Sequence, residues 1–148
     1  MALAFLVAWC SMLTICDIRQ RRLPNALTAY GALIIFGYAL ITTQFTAAMA
    51  GSILLALPYL LVHLIAPEAL GAGDVKLAIG LGAVTALGGA QVWVRAALIA
   101  PILTAVFGIA LSAHWRIRSG ADQGGPHALP HGPAMCLATL LSLAAAHG

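Results

Sequence analysis

Six apolar stretches, covering about residues 1 to 16, 26 to 43, 47 to 66, 75 to 90, 96 to 113 and 134 to 146, fill the chain, with only short polar or Gly/Pro-rich breaks between them. Such stretches leave little polar surface for water, and a chain crossing hydrocarbon must satisfy its backbone groups internally, as a helix does. Composition agrees: 62% of residues are hydrophobic and 7% charged, where a soluble domain carries roughly 25% charged residues. The expected fold class is an all-α integral membrane protein, a bundle of about six transmembrane helices forming one domain over residues 1–148. The first, fourth and last stretches are short for a hydrocarbon core of ~30 Å at ~1.5 Å per residue. Their helices are expected to extend into flanking loop residues or to meet a thinned bilayer.

Charge supplies the orientation. Seven Lys/Arg against four Asp/Glu are too sparse for a nucleic-acid surface, so the expected surroundings are membrane lipids and nucleic acid is not an expected partner. With alternating crossings, the loops at 17 to 25, 67 to 74 and 114 to 133 share one side. They or their edges hold Arg19, Arg21, Arg22, Lys76, Arg116 and Arg118, while the other side has Arg95. Positive charge stays cytoplasmic, which places these three loops in the cytoplasm and both termini outside. The first 16 residues lack a basic n-region, and Ile15 precedes Cys16 where a processing site wants a small residue, so they read as a retained span. Cys10, Cys16 and Cys136 lie inside apolar stretches without a Cys-x-x-Cys pair and read as packing residues. Gly31, Gly37, Gly51, Gly80, Gly82 and Gly108 suit close helix packing in lipid.

Ionisable groups at the ends of apolar helices are expensive enough to mark functional positions. Asp17 closes the first stretch and Asp74 opens the fourth, while Glu68 and Asp122 lie in loops. The topology brings Asp17 and Asp74 to one membrane face. Two carboxylates within hydrogen-bond reach do not both ionise easily, so they share a proton: the ionised one activates water and the protonated one polarises a peptide carbonyl. Topology alone favours the plainer reading, two boundary acids beside Arg19 and Lys76. Context favours chemistry, because Asp17 begins DIRQRRLPN and Asp74 sits in GAGDVKL. There Gly71 and Gly73 permit backbone conformations and close peptide approach that a side chain would obstruct. Other polar residues have plainer readings. Lys76 snorkels to the headgroups, Arg19, Arg21 and Arg22 set topology, and Asn25 after Pro24 caps the second helix. His127 and His131 have the spacing of helical metal ligands, but Pro126, Pro130, Gly132 and Pro133 argue against a helix through them, so no metal site is expected. His63 and Gln91 have no evident partner, and Trp9, Trp93, Trp115 and Tyr38 read as interfacial or packing aromatics.

Together the two aspartate strings resemble the prepilin peptidase family, membrane aspartyl proteases with a Gly-x-Gly-Asp motif. In that family the first aspartate precedes a basic stretch ending in Pro-Asn and the second lies in Gly-x-Gly-Asp-x-Lys, which fall here on Asp17 and Asp74. LPHGPAM is similar to the Pro-x-Gly-Pro segment that opens the family's last helix. The resemblance implies an aspartic endopeptidase of a prokaryotic cytoplasmic (inner) membrane with its site at the cytoplasmic face. Its partner would be a type IV pilin-like precursor, cut at the end of a basic leader, with Gly71 and Gly73 giving the peptide room and no cofactor required. Longer members carry a Cys-x-x-Cys segment and methylate the new terminus. This sequence has no such pairs, so it looks like the short, peptidase-only type of tight-adherence or Flp-like pili, without a soluble methyltransferase domain. The alternative is a non-catalytic carrier or pilus-assembly scaffold that uses the aspartates to bind protons or cations. Within a catalytic pair, an aspartate placed after its helix is disfavoured as an anion and one at a helix start is favoured. On that argument Asp17 holds the shared proton and Asp74 is the base.

Overall fold

In a computed structural model, which describes residues 2–20, 23–68, 70–119 and 131–147, the chain forms six helices and, among the described residues, no strand. They are α1 (Ala2–Gln20), α2 (Asn25–Ile41), α3 (Phe45–Ile65), α4 (Ala72–Leu87), α5 (Ala90–Ser119) and α6 (Gly132–His147). The all-helical expectation holds, but the count of crossing helices does not. Three segments are long and apolar enough to span a bilayer: Leu3–Gln20, Phe45–Ile65 and Ala90–Ala110. Asn25–Ile41 and Gly132–Ala146 are apolar but shorter. The fourth stretch, expected as a span, is the 16-residue α4.

Helices α2 and α6, at 17 and 16 residues, fall short by length, and for α4 the reason lies in where it sits. It packs against α2, α3, α5 and α6, and Leu77, Ala78, Gly80, Leu81, Gly82, Ala83 and Thr85 are all buried. A helix wrapped by its neighbours does not need the length or uniform apolarity of one facing lipid. The outer helices carry the exposed apolar surface instead, including Leu33, Ile41, Leu64, Ile65 and Ile109. In water such a surface would be untenable, so it is the lipid-facing belt of a membrane protein.

Glycines let α4 sink into the bundle. A Cβ on Gly82 would fall 2.5 Å from the Gly51 carbonyl oxygen, and one on Gly51 would fall 2.6 Å from the Gly82 carbonyl oxygen. The two backbones therefore touch where α3 crosses α4, and Trp93 Nε1 donates to the Gly51 carbonyl at 3.0 Å beside them. Trp9 does the same work on the other flank. Its ring occupies the space that a Cβ on Gly31 or Gly80 would need, and Nε1 donates to the Leu27 carbonyl at 2.9 Å. Gly37 has nothing within 4 Å of an added Cβ, so it is not a packing glycine among the described residues.

Helix ends correct several boundaries. Helix α1 continues past its apolar run to Gln20 and includes Asp17. Helix α5 begins at Ala90 and runs to Ser119, so Arg95, Arg116 and Arg118 are helical rather than in loops. Pro24, not Asn25, is the N-cap of α2, and its carbonyl accepts from the N–H groups of Leu27 and Thr28. The link from α4 to α5 turns on Gly89 at φ +104°, a left-handed conformation that favours glycine.

The packing glycines yield a direct test in detergent. Gly82→Ala should lower the melting temperature, since overpacking a tight helix contact costs about 1–3 kcal/mol. Gly37→Ala should leave it unchanged or raise it slightly, because alanine is favoured over glycine inside a helix by roughly 0.5–1 kcal/mol. Equal tolerance of both substitutions would contradict the close α3/α4 approach.

Candidate active site

Asp17 lies one turn before the end of α1, and Asp74 lies in the first turn of α4. Both are 8% exposed, and their carboxylates are within Coulombic reach of one another. Together they line one open cavity of about 320 Å³, closed by Leu23, Asn25, Gly71, Ala72, Gly73 and Lys76. Two acids far apart in sequence thus meet at one end of the bundle.

The local anchors of the two differ. Asp74 stands at the third helical position of α4, and its Oδ2 accepts from the backbone N–H of Gly71, the N-cap, at 3.3 Å. This is half of a capping box, a carboxylate satisfying a free donor at a helix N-terminus. The backbone N–H of Gly132, the first residue of α6, faces the Asp17 carboxyl group. Asp17 Oδ2 is nevertheless buried without a hydrogen-bond partner among the described residues. Gly132 is required by this approach, because a Cβ there would lie 2.7 Å from Asp17 Oδ2.

Among the described residues no cationic side chain is paired with either carboxylate. The boundary-acid reading needs Arg19 and Lys76 beside them. Lys76 is exposed and donates instead to Asn25 Oδ1 at 2.8 Å, tying α4 to the start of α2. Asn25 therefore serves as an acceptor across helices rather than as a cap. Arg21 and Arg22 lie outside the described residues.

Neither motif glycine uses a left-handed backbone, since among the described glycines only Gly89 has positive φ. Gly71 is extended at φ −71° and ψ 149°. At Gly73 the missing side chain makes room for Leu23, whose Cβ would be 3.1 Å from an added Cβ. Because Asp17 lies within α1 rather than beyond it, the contrast of helix ends on which the unequal protonation rested is lost on one side. Only Asp74 retains a clear helix-terminal position.

Sequence reasoning missed the linkage of three residues at the start of α6. His131 is buried, Tyr59 on α3 hydrogen bonds to its Nε2 at 3.1 Å, and Thr104 on α5 hydrogen bonds to its Nδ1. The isolated histidine in LPHGPAM was visible, but nothing in the sequence tied it to a tyrosine and a threonine on other helices. His63, also without an evident partner, donates from Nδ1 to the Leu70 carbonyl at 2.7 Å. No group of three metal-ligating side chains occurs among the described residues, and His127 lies outside them. Cys10 and Cys136 are buried and face one another between α1 and α6, and Cys16 is half-buried.

A membrane bundle that buries two carboxylates at one open pocket defines a class, membrane proteins carrying an acid pair at the bundle edge. Comparison with protein families then identifies it further. The model of the type IV leader peptidase family matches residues 4–111, and the chain belongs to that family. No curated protein and no solved structure matches.

An unpaired buried carboxylate has a stability signature. Asp17→Asn removes one of two adjacent acidic groups while keeping side-chain shape, so the variant should melt at or above the parent in detergent near neutral pH. A drop of several degrees would reveal a stabilising partner for Asp17.

Proposed function

We propose that the chain is a prepilin-type leader peptidase that hydrolyses the peptide bond at the end of the cytoplasmic basic leader of type IV pilin-like precursors. The observation that carries this reading is the meeting of Asp17 and Asp74, both buried, in one pocket, with neither carboxylate paired to a cationic side chain among the described residues. Membership of the type IV leader peptidase family supports it. Two close carboxylates hold one proton between them. The ionised member takes a proton from water as the oxygen attacks the scissile carbonyl, and the protonated member donates a hydrogen bond to that carbonyl oxygen. Collapse of the tetrahedral intermediate returns a proton to the leaving amine. Water is the nucleophile and no cofactor enters.

The surroundings suit an extended peptide. The pocket wall at Gly71 and Ala72 presents backbone and a small side chain, which leaves room for an extended peptide, while the space at Gly73 is taken by Leu23. The concentration of Lys and Arg near this end of the bundle favours its cytoplasmic orientation, in keeping with the prokaryotic inner membrane that the family resemblance implies. A precursor would then keep its hydrophobic segment in the bilayer while its leader reaches the pocket. A carrier or scaffold that binds protons or cations would more readily hold its acids near mid-membrane, whereas both acids here border an open terminal pocket.

Asp17→Asn and Asp74→Asn should each reduce cleavage of a pilin-like precursor by roughly 10³-fold or more at matched protein levels, because each removes a different role from one unit. Glu68→Gln should stay within about twofold of the parent, as expected of a surface substitution outside the reacting groups. Near-normal turnover in either aspartate variant would refute the two-carboxylate mechanism, and a large loss at Glu68 would move the chemistry there.

A further inference from the structure

The two carboxylates sit on helices that have little direct backbone contact: α1 packs mainly on α6 and lightly on α2, whereas α4 packs on α2, α3, α5 and α6. What brings Asp17 up to Asp74 is the start of α6, since Gly132 lies against Asp17 so closely that it has no room for a Cβ. The residue immediately before Gly132 is His131. It is buried, and both ring nitrogens are occupied by side chains from two other helices.

Which ring nitrogen of His131 carries the proton depends on its tautomer. When Thr104 Oγ1 gives its single proton to the Ala100 carbonyl, 3.1 Å away, it accepts from Nδ1–H of His131. In the neutral imidazole Nε2 is then the acceptor, and it receives the Tyr59 hydroxyl proton across 3.1 Å. Tyr59 lies on α3, the helix most closely packed on α4, and is within Coulombic reach of Asp74. The path Asp74, α3, Tyr59, His131, Gly132, Asp17 therefore joins the two acids through rigid parts.

We propose that His131 is a positioning residue for the aspartate pair: bonded to Thr104 on α5 and to Tyr59 on α3, it seats the first residue of α6 against Asp17 and so sets the separation of the two carboxylates. The proposal rests on the peptidase reading for its kinetic consequence, though not for its structural one. A pair that shares a proton around one water works only within a narrow range of separations, and misplacement by about 1 Å can cost 10²-fold in rate.

The test uses the full-length protein in membranes. His131→Phe retains a ring of similar size and loses both hydrogen bonds, and Tyr59→Phe loses one oxygen. Each should lower kcat for a pilin-like precursor by about tenfold to a hundredfold, with KM and melting temperature near the parent values. The double variant should be no slower than His131→Phe alone, because both changes break one linkage. His131→Gln, which can again bond to Tyr59, should recover part of the rate. Infrared bands of the two carboxyl groups, assigned by difference from Asp17→Asn and Asp74→Asn, should shift in His131→Phe and Tyr59→Phe. If the parent itself does not cleave the precursor, the peptidase reading fails and these band shifts alone decide the positioning role. Unchanged kcat and unchanged bands in both variants would overturn the proposal, as would losses that add in the double variant and track only the amount of folded protein. Should His131→Phe fail to fold, Tyr59→Phe carries the same test.

Discussion

Taking a carboxylate out of water costs several kcal/mol unless a partner compensates, and this bundle does so twice at the same place with no ion pair to either acid among the described residues. Everything around the site follows from that constraint. A single shared proton reduces the charge to be buried, and the open side of the pocket leaves one route for water. One backbone N–H reaches Asp74 and another faces Asp17, both from helix starts where such donors are free. Donors of this kind lessen the cost of a carboxylate without neutralising it. A salt bridge to Lys76 would stabilise the pocket further but would commit a carboxylate to its ionised form, and Lys76 is engaged instead with Asn25.

Holding the acids together is the task of packing. Helix α4 can occupy the middle of the bundle because Gly51 and Gly82 allow backbone contact with α3, and because Gly31 and Gly80 admit the Trp9 ring. Such contacts are stiff, since close-packed interiors do not deform continuously. Stiffness in α3 and α4 gives α6 something to be fixed against, and α6 in turn fixes α1. Helices α3 and α6, which contribute neither acid, thus help to assemble the pair.

Much of this was legible in the sequence, and the omissions have physical causes. Apolar runs revealed six helices, and the aspartates stood out because an acid next to such a run needs a reason. The crossing count fell short at the second, fourth and last runs: α2 and α6 are apolar but short, and hydropathy does not separate a helix facing lipid from one enclosed by protein, as α4 is. Helix α1 extends past its apolar run, as so short a stretch requires, and takes in Asp17, Arg19 and Gln20; only the dipole argument, which set Asp17 beyond the helix, misjudged its end. Asn25 was read as a cap from its neighbour Pro24, yet its acceptor is used by a lysine on another helix. Gly73 was read only as room for a peptide, while the fold fills that space with Leu23. His131 could be noticed but not understood, because its partners come from α3 and α5 and only tertiary structure brings them together.

The central claim is that Asp17 and Asp74 face one another across a single pocket in the membrane. In a cysteine-free background, Asp17→Cys and Asp74→Cys can be introduced together with a protease site in the turn between α2 and α3, so that cutting separates the two positions. Treatment with a short thiol-specific cross-linker in native membranes should leave the cut halves joined, and either cysteine alone should let them part. Halves that separate completely, although both cysteines react with a small monofunctional reagent, would place the two positions apart and contradict the account.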